Sequence, residues 1–75
     1  MVELVRFIAR SLVEKPDAVD VREVVEAERI TIELRVDPDD MGKVIGRQGR
    51  IAKAIRTVVK AASARSEKPV FVEIV

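Results

Sequence analysis

The residues whose types and spacing could do chemistry lie around one short turn, Gly46–Gly49, of sequence Gly-Arg-Gln-Gly. Its two glycines permit positive φ angles and the close approach of another backbone. The turn precedes a helical pattern, and the N-terminus of a helix favours an anion through its N–H groups and its dipole. Lys43 precedes the turn, and Arg50 and Lys53 follow it. This combination predicts a site for a phosphate backbone.

Other glycine-rich phosphate sites do not match the turn. A P-loop needs G-x-x-x-x-G-K-[ST], and Arg47 and Gln48 directly after Gly46 do not match that pattern. A dinucleotide fingerprint needs a glycine two positions before Gly46, where this chain has Val44. An ordinary connection between two helices remains as the alternative interpretation.

The basic side chains are concentrated in one block of the chain. Residues 41–66 carry seven basic side chains and no acidic one, whereas residues 1–40 carry six basic and eleven acidic side chains. The net charges are +7 and −5, and residues 67–75 contribute −1, which leaves +1 overall. Such a block on an otherwise acidic chain favours a polyanion site. A solvated helix face is the alternative, but such faces usually mix charges of both signs.

Composition excludes several classes of function. The chain has no Cys and no His, which excludes disulfides, thiolate chemistry, His-ligated zinc and His acid–base catalysis. No apolar run approaches the ~20 residues of a membrane span. We therefore expect one small cytoplasmic domain over residues 1–75 that is not an enzyme, is not membrane-bound, and needs no cofactor, metal or small-molecule substrate.

Chain length also bears on association. The 75 residues are 48% hydrophobic, which is enough for one small core. A chain this short buries only about 60% of its unfolded surface, so pairing with another chain would stabilise it. We therefore expect a homodimer.

Apolar spacing in the first half of the chain predicts a helix and a hairpin. The repeat from Val5 to Leu12 predicts an amphipathic helix over about residues 2–14, ended by Pro16. Residues 19–25 and 30–36 alternate apolar and polar side chains and predict an antiparallel hairpin. The first strand is less regular, because Val24 and Val25 would point to opposite faces.

The second half predicts two helices and a closing strand. Asp37 can cap a short helix, Pro38 suits its first position, and Gly46 ends it. A longer helix over about residues 50–65 carries apolar residues on one side and cations on the other. After a turn at 66–69, residues 70–75 predict a strand, so the order is α-β-β-α-α-β.

The segment from Val44 to Ile55 resembles the V-I-G-x-x-G-x-x-I core of KH domains. It departs from that core at one point, because Ile51 stands one position early and Ala52 takes its place. The element order resembles the type II, prokaryotic arrangement, and the whole chain is similar to the small bacterial single-KH proteins of the KhpA family. The resemblance implies a single type II KH-like domain of class α+β, with a three-stranded sheet and helices packed on one face.

In KH domains the G-x-x-G loop holds the backbone of about four single-stranded nucleotides, whose bases lie in a shallow apolar groove. The resemblance and the basic block together assign RNA contact to Lys43, Val44, Ile45, Gly46, Arg47, Gln48, Gly49, Arg50 and Lys53. Further candidates for the groove floor are Ile51 near the loop and Ile32, Leu34 and Val36 on the second strand. Burial in the core is the alternative for these apolar residues, and it is favoured for Ile51 and Ile55.

Aromatic residues are too few for recognition by extensive base stacking. Phe7 and Phe71 are the only two, and both lie outside the basic block. RRM and cold-shock domains stack bases on exposed aromatic side chains. We therefore expect low sequence selectivity.

The resemblance leaves two functions open. The first is a single-stranded RNA-binding protein acting as an RNA chaperone or post-transcriptional regulator. The second is a dimerisation or docking module with only weak RNA contact of its own. The KhpA family is associated with both, since its members self-associate and pair with a larger KH-containing protein of the KhpB type. The family is also linked to cell shape and cell-wall biogenesis.

Overall fold

A computed structural model describes residues 1–75 and contains three α-helices and three β-strands. In chain order these are α1 (Val2–Leu12), β1 (Asp20–Val25), β2 (Ile30–Arg35), α2 (Met41–Ile45), α3 (Arg50–Ala62) and β3 (Val70–Ile74). Short 3-10 turns at Pro16–Ala18, Pro38–Asp40 and Arg47–Gly49 connect them. The predicted order α-β-β-α-α-β is confirmed.

The strands form one mixed sheet in the order β1-β2-β3. β1 and β2 pair antiparallel with Val21 opposite Leu34, and β2 and β3 pair parallel with Ile32 opposite Val72. These four side chains are buried, because they alternate onto the sheet face that the helices cover. The predicted α+β class, with helices packed on one face of a three-stranded sheet, is therefore confirmed.

One aliphatic core lies between the sheet and the helices. Its fully buried members include Val5 and Ala9 of α1, Val44 of α2, and Val59 of α3. Neither phenylalanine belongs to it. None of the helices is long and apolar enough to cross a membrane.

Two helices end earlier than the sequence predicts. α1 stops at Leu12 rather than near residue 14, because Val13 is extended and the N–H groups of Glu14 and Lys15 donate to the side chain of Asp40. α3 stops at Ala62 rather than near residue 65. There the Ser63 hydroxyl donates to the Lys60 carbonyl at 3.4 Å, a local bond that competes with continuation of the helix.

Candidate nucleic-acid interface

The loop between α2 and α3 requires its two glycines for backbone reasons. Gly46 has φ 75° and ψ 172°, a region that is essentially accessible to glycine alone. Gly49 has φ 73° and ψ 15°, in the left-handed helical region. Gln48 between them is also left-handed, with φ 59°, and is the one non-glycine residue with positive φ. The three residues reverse the chain so that it leaves α2 and enters α3 at once.

Gly46 is required by packing as well. A Cβ at this position would lie 2.6 Å from Cγ1 of Ile51. Ile51 thus presses against the loop from the first turn of α3, while Ala52, which takes the KH isoleucine position, is buried beneath. The chain departs from the KH pattern at these two positions, and the side chain that supports the loop is therefore Ile51 rather than residue 52. The loop keeps its tight form.

Hydrogen bonds within the loop use some of its donors. The Gly49 N–H donates to the Gly46 carbonyl at 3.1 Å, and the Arg50 N–H donates to the Arg47 carbonyl. The Arg50 guanidinium donates to Oε1 of Gln48 at 3.2 Å. These two backbone N–H groups are therefore not free to bind a phosphate. The exposed side chain of Arg47 is the cation that the loop itself offers to one.

Lys43 differs from the other cations near the loop because it is already paired. Its Nζ lies 3.6 Å from Oε1 of Glu14 and 3.6 Å from Oδ1 of Asp40. An incoming phosphate would have to compete with these two carboxylates. Lys43 therefore lies beside the loop as predicted, but its charge is partly neutralised.

Asp40 is a buried carboxylate that joins α1 to the loop helix α2. Its side chain is 2% exposed and accepts the N–H groups of Glu14 at 3.2 Å and Lys15 at 3.0 Å. Burial alone would raise the pKa of Asp40, but these two donors and the charge of Lys43 outweigh burial and hold the pKa below its usual value. The sequence did not reveal this role of Asp40, because its partners lie 25 and 26 residues away.

The remaining cations of the basic block have no acidic partner. Of the seven basic side chains at 41–66, only Lys43 forms an ion pair, which leaves six unpaired. By contrast, five of the six basic side chains at 1–40 are paired, as Arg6–Glu3, Arg10–Asp17, Lys15–Asp37 and Asp39, Arg22–Asp20 and Arg29–Glu26. The fold therefore separates neutralised charge from charge that is available to a polyanion.

The apolar residues proposed for a groove floor are mostly part of the core. Val44, Ile32 and Leu34 are fully buried, and Val36 is 6% exposed. Their side chains fix the position of α2 and β2 and offer no surface to a base. Two candidates are exceptions: Ile51 is half-buried, and Ile45 is 37% exposed and lies directly before Gly46. Val44 therefore lies in the core, and Ile45 lies on the surface beside the loop.

The groove that does open beside α3 is formed with β3, a strand that the sequence did not connect to the site. A cleft of about 590 Å³ lies between the C-terminal half of α3, the following turn and β3. Its lining residues include Arg56, Lys60, Lys68, Val70, Phe71 and Val72. The Arg56 Nε donates to the Val72 carbonyl at 3.4 Å. Only the parallel pairing of β3 with β2 brings this strand beside the basic helix.

A second groove lies on the opposite flank of α3, against α1. It has a volume of about 390 Å³, and all but one of its lining residues are apolar: Ile8, Leu12, Arg50, Ile51, Ala54, Ile55 and Val58. Val58 is 44% exposed there. The sequence pattern places Val58 on the apolar side of α3, but only Ala52, Ile55 and Val59 of that helix are buried.

Comparison with known families gives one match that spans nearly the whole chain. The family model described as "KhpA/KhpB, KH domain" matches residues 2–74. Curated relatives named "RNA-binding protein KhpA" include those of Clostridium perfringens, 64% identical, and Caldanaerobacter subterraneus, 60% identical. Each alignment covers 100% of both chains.

Solved structures with the same fold include two of the protein Era. A variant of Aquifex aeolicus Era bound to GDP and AlF4⁻ superposes with a TM-score of 0.68 at 23% identity over 97% of this chain. Era in complex with MgGDPNP and a segment of 16S ribosomal RNA gives a TM-score of 0.62 at 24% identity over 99% of this chain. The chain spans only 28% and 30% of those proteins, so the likeness concerns one domain of each.

Proposed function

The chain belongs to the KhpA/KhpB KH-domain family, and from that premise we propose that it is a non-catalytic RNA-binding protein that holds single-stranded RNA at the Gly46–Gly49 loop. The names of its relatives support RNA binding. The phosphate backbone would contact Arg47 in the loop and the unpaired cations of α3. The bases would lie toward the cleft between α3 and β3.

The observation that carries this proposal is the set of six unpaired cations beside a glycine-dependent loop. An ordinary connection between helices needs neither two positive-φ glycines nor uncompensated charge around it. Unpaired cations can release the counterions of a bound strand, and this release dominates non-specific affinity for nucleic acid. Ile45, the exposed apolar residue at the loop, adds a contact surface for a base.

The proposal is tested by titrating the protein with a short RNA oligonucleotide and with its annealed duplex. We expect tighter binding of the single strand, because bases must be unstacked and splayed to enter a KH groove. We expect Arg47→Asp combined with Gln48→Asp to weaken single-strand binding roughly 10- to 100-fold, since the local charge changes from +1 to −2. Asp tolerates the left-handed conformation at position 48, so the fold should persist.

A matched pair of single substitutions provides the control. Arg47→Asp and Arg35→Asp change charge equally, and both arginines are exposed and unpaired, but Arg35 lies on β2 away from the loop. Only Arg47→Asp should weaken RNA binding strongly. Equal binding of duplex and single strand, or wild-type affinity in a folded double-Asp variant, would show that the loop is only a helix connection.

The second candidate role is protein association, and the apolar groove between α1 and α3 favours it. We propose that this surface supports a homodimer, or a heterodimer with a larger KH-containing protein of the KhpB type. We further propose that RNA chaperoning or regulation in the cytoplasm requires both RNA binding at the loop and protein association at this groove. A weak single site gains affinity when a partner supplies a second one. Sedimentation across a concentration series tests self-association, and a species of only 8.4 kDa at all concentrations would exclude the homodimer.

A further inference from the structure

We propose that Phe71 is a base-stacking site for single-stranded RNA at the β3 side of the cleft, supported by Arg29. The inference deepens the proposed function, on which it rests, because it assigns a base contact distant in sequence from the loop. The sequence indicated no stacking, since Phe71 lies outside the basic block. The fold places Phe71 among the residues that line the cleft, together with Arg56 and Lys60 of α3.

The orientation of Phe71 follows from strand alternation. Val72 next to it points into the core and is 7% exposed, so Phe71 points to the sheet face that carries no helix. Phe71 is 49% exposed, and β3 is an edge strand of the sheet. The ring therefore lies where the open face of the sheet meets the cleft. About half of this aromatic side chain is therefore available to a ligand.

Arg29 lies far from Phe71 in the sequence but contacts its ring in the fold. The Cζ of its guanidinium lies 5.7 Å from the centre of the Phe71 ring, within the range of a cation–π interaction. Arg29 is held in turn by Glu26, with Nε 3.4 Å from Oε1. With Arg29 in place Phe71 is still 49% exposed, and this remaining surface is open to a ligand.

The position of the cleft relative to the loop suits a continuous strand of RNA. α3 begins with Arg50 at the end of the loop, and Lys60 lies about 15 Å further along the helix axis at 1.5 Å per residue. Arg56 and Lys60 line the cleft from the helix side, and Phe71 lines it from the strand side. A phosphate backbone that follows the cations from Arg47 would therefore carry a base to Phe71, whose apolar face accepts any of the bases.

The experiment compares Phe71→Leu with the wild type in binding a 12-nucleotide single-stranded oligouridylate and an abasic strand of equal length. Removal of one base–aromatic stack should weaken oligouridylate binding roughly 5- to 100-fold. Binding of the abasic strand should not change, because no charge is removed. The slope of log affinity against log salt should also stay constant. Phe71→Tyr keeps an aromatic face and should restore the affinity.

Phe7→Leu is the matched control, because Phe7 is the other exposed phenylalanine, at 71%, and lies on α1 away from the cleft. It should leave binding unchanged. Phe71→Trp introduces the single Trp of the chain, and its fluorescence should be quenched by oligouridylate through stacking.

The outcomes separate this inference from the proposed function. If the wild type binds oligouridylate and the loop variant does not, but Phe71→Leu binds as the wild type does, the stacking site is wrong and the proposed function stands. If Phe71→Leu weakens self-association and leaves RNA binding intact, the ring is a protein contact, which also overturns the inference. If the wild type binds no single strand, both proposals fail together.

Discussion

The two flanks of α3 differ in the side chains that they present to a partner. On the flank toward β3, Lys53, Arg56 and Lys60 fall within about 60° of one another around the helix axis. On the flank toward α1, Ile51, Ala54 and Val58 fall within a similar arc. The core stripe of Ala52, Ile55 and Val59 lies between the two flanks.

The difference shows that a single helix can present two separate surfaces, one charged and one apolar. The cations on one flank have no acidic partner, while the apolar flank carries no charge except Arg50 at its end. Because the core stripe holds the helix in place, a partner on either flank need not displace the other. RNA binding and protein association are therefore compatible proposals for this chain, and each can be disrupted separately.

The largest expected effect comes from Gly46→Ala, because Gly46 lies in the loop that leads into α3 and therefore precedes both of its flanks. The new Cβ would clash with Ile51 of the apolar flank and would occupy a glycine-only backbone region. We expect the free energy of unfolding to fall by about 2–5 kcal/mol, measured by chemical denaturation. RNA binding should fall with it.

Gly49→Ala distinguishes the two causes. A Cβ at Gly49 would meet no atom within 4 Å, so only the positive φ of 73° opposes the substitution. We expect a loss of about 1–2 kcal/mol. Equal losses at Gly46 and Gly49 would contradict the role assigned to Ile51.

An intermediate effect is expected from Val58→Asp on the apolar flank. A charge placed in an apolar contact is costly to bury, so self-association should weaken more than tenfold, as measured by sedimentation equilibrium. The RNA affinity of the monomer should change by less than about threefold, because one exposed charge on the far flank is largely screened.

Thr57→Asp is the control for that experiment. Thr57 is exposed on the neighbouring position of α3 but does not line the apolar groove. It should leave self-association intact. If both substitutions weaken the dimer alike, or if neither does, the groove between α1 and α3 is not the dimer surface.

The smallest effect is expected from Lys60→Gln on the basic flank. Loss of one phosphate contact should reduce the slope of log affinity against log salt by about 0.7 and weaken single-strand binding only a few-fold. Arg35→Gln removes a cation from β2 that is also exposed and unpaired, and it should change neither value. A change of slope with Arg35→Gln as large as with Lys60→Gln would show that the protein responds only to net charge.

Much of the fold could be predicted from local pattern. The glycines of the loop, the Asp37 cap and the alternation of β2 are short-range features, because each depends on residues within one turn or one strand. The cap is seen directly, since Oδ1 of Asp37 accepts the Asp39 N–H at 2.9 Å. The chain's resemblance to KH domains also rested on contiguous residues around Gly46.

The sequence by itself determined where the loop lies, the order of the elements and the concentration of positive charge at 41–66. Only the tertiary structure decided which of those charges are free, because Glu14, which follows α1, reaches Lys43 through the packing of α1 against α2. It likewise decided that Val44 is buried and that Phe71 lines the cleft. The physical reason is that side-chain exposure and ion pairing depend on which elements meet, and the parallel pairing of β3 with β2 joins residues about 40 positions apart.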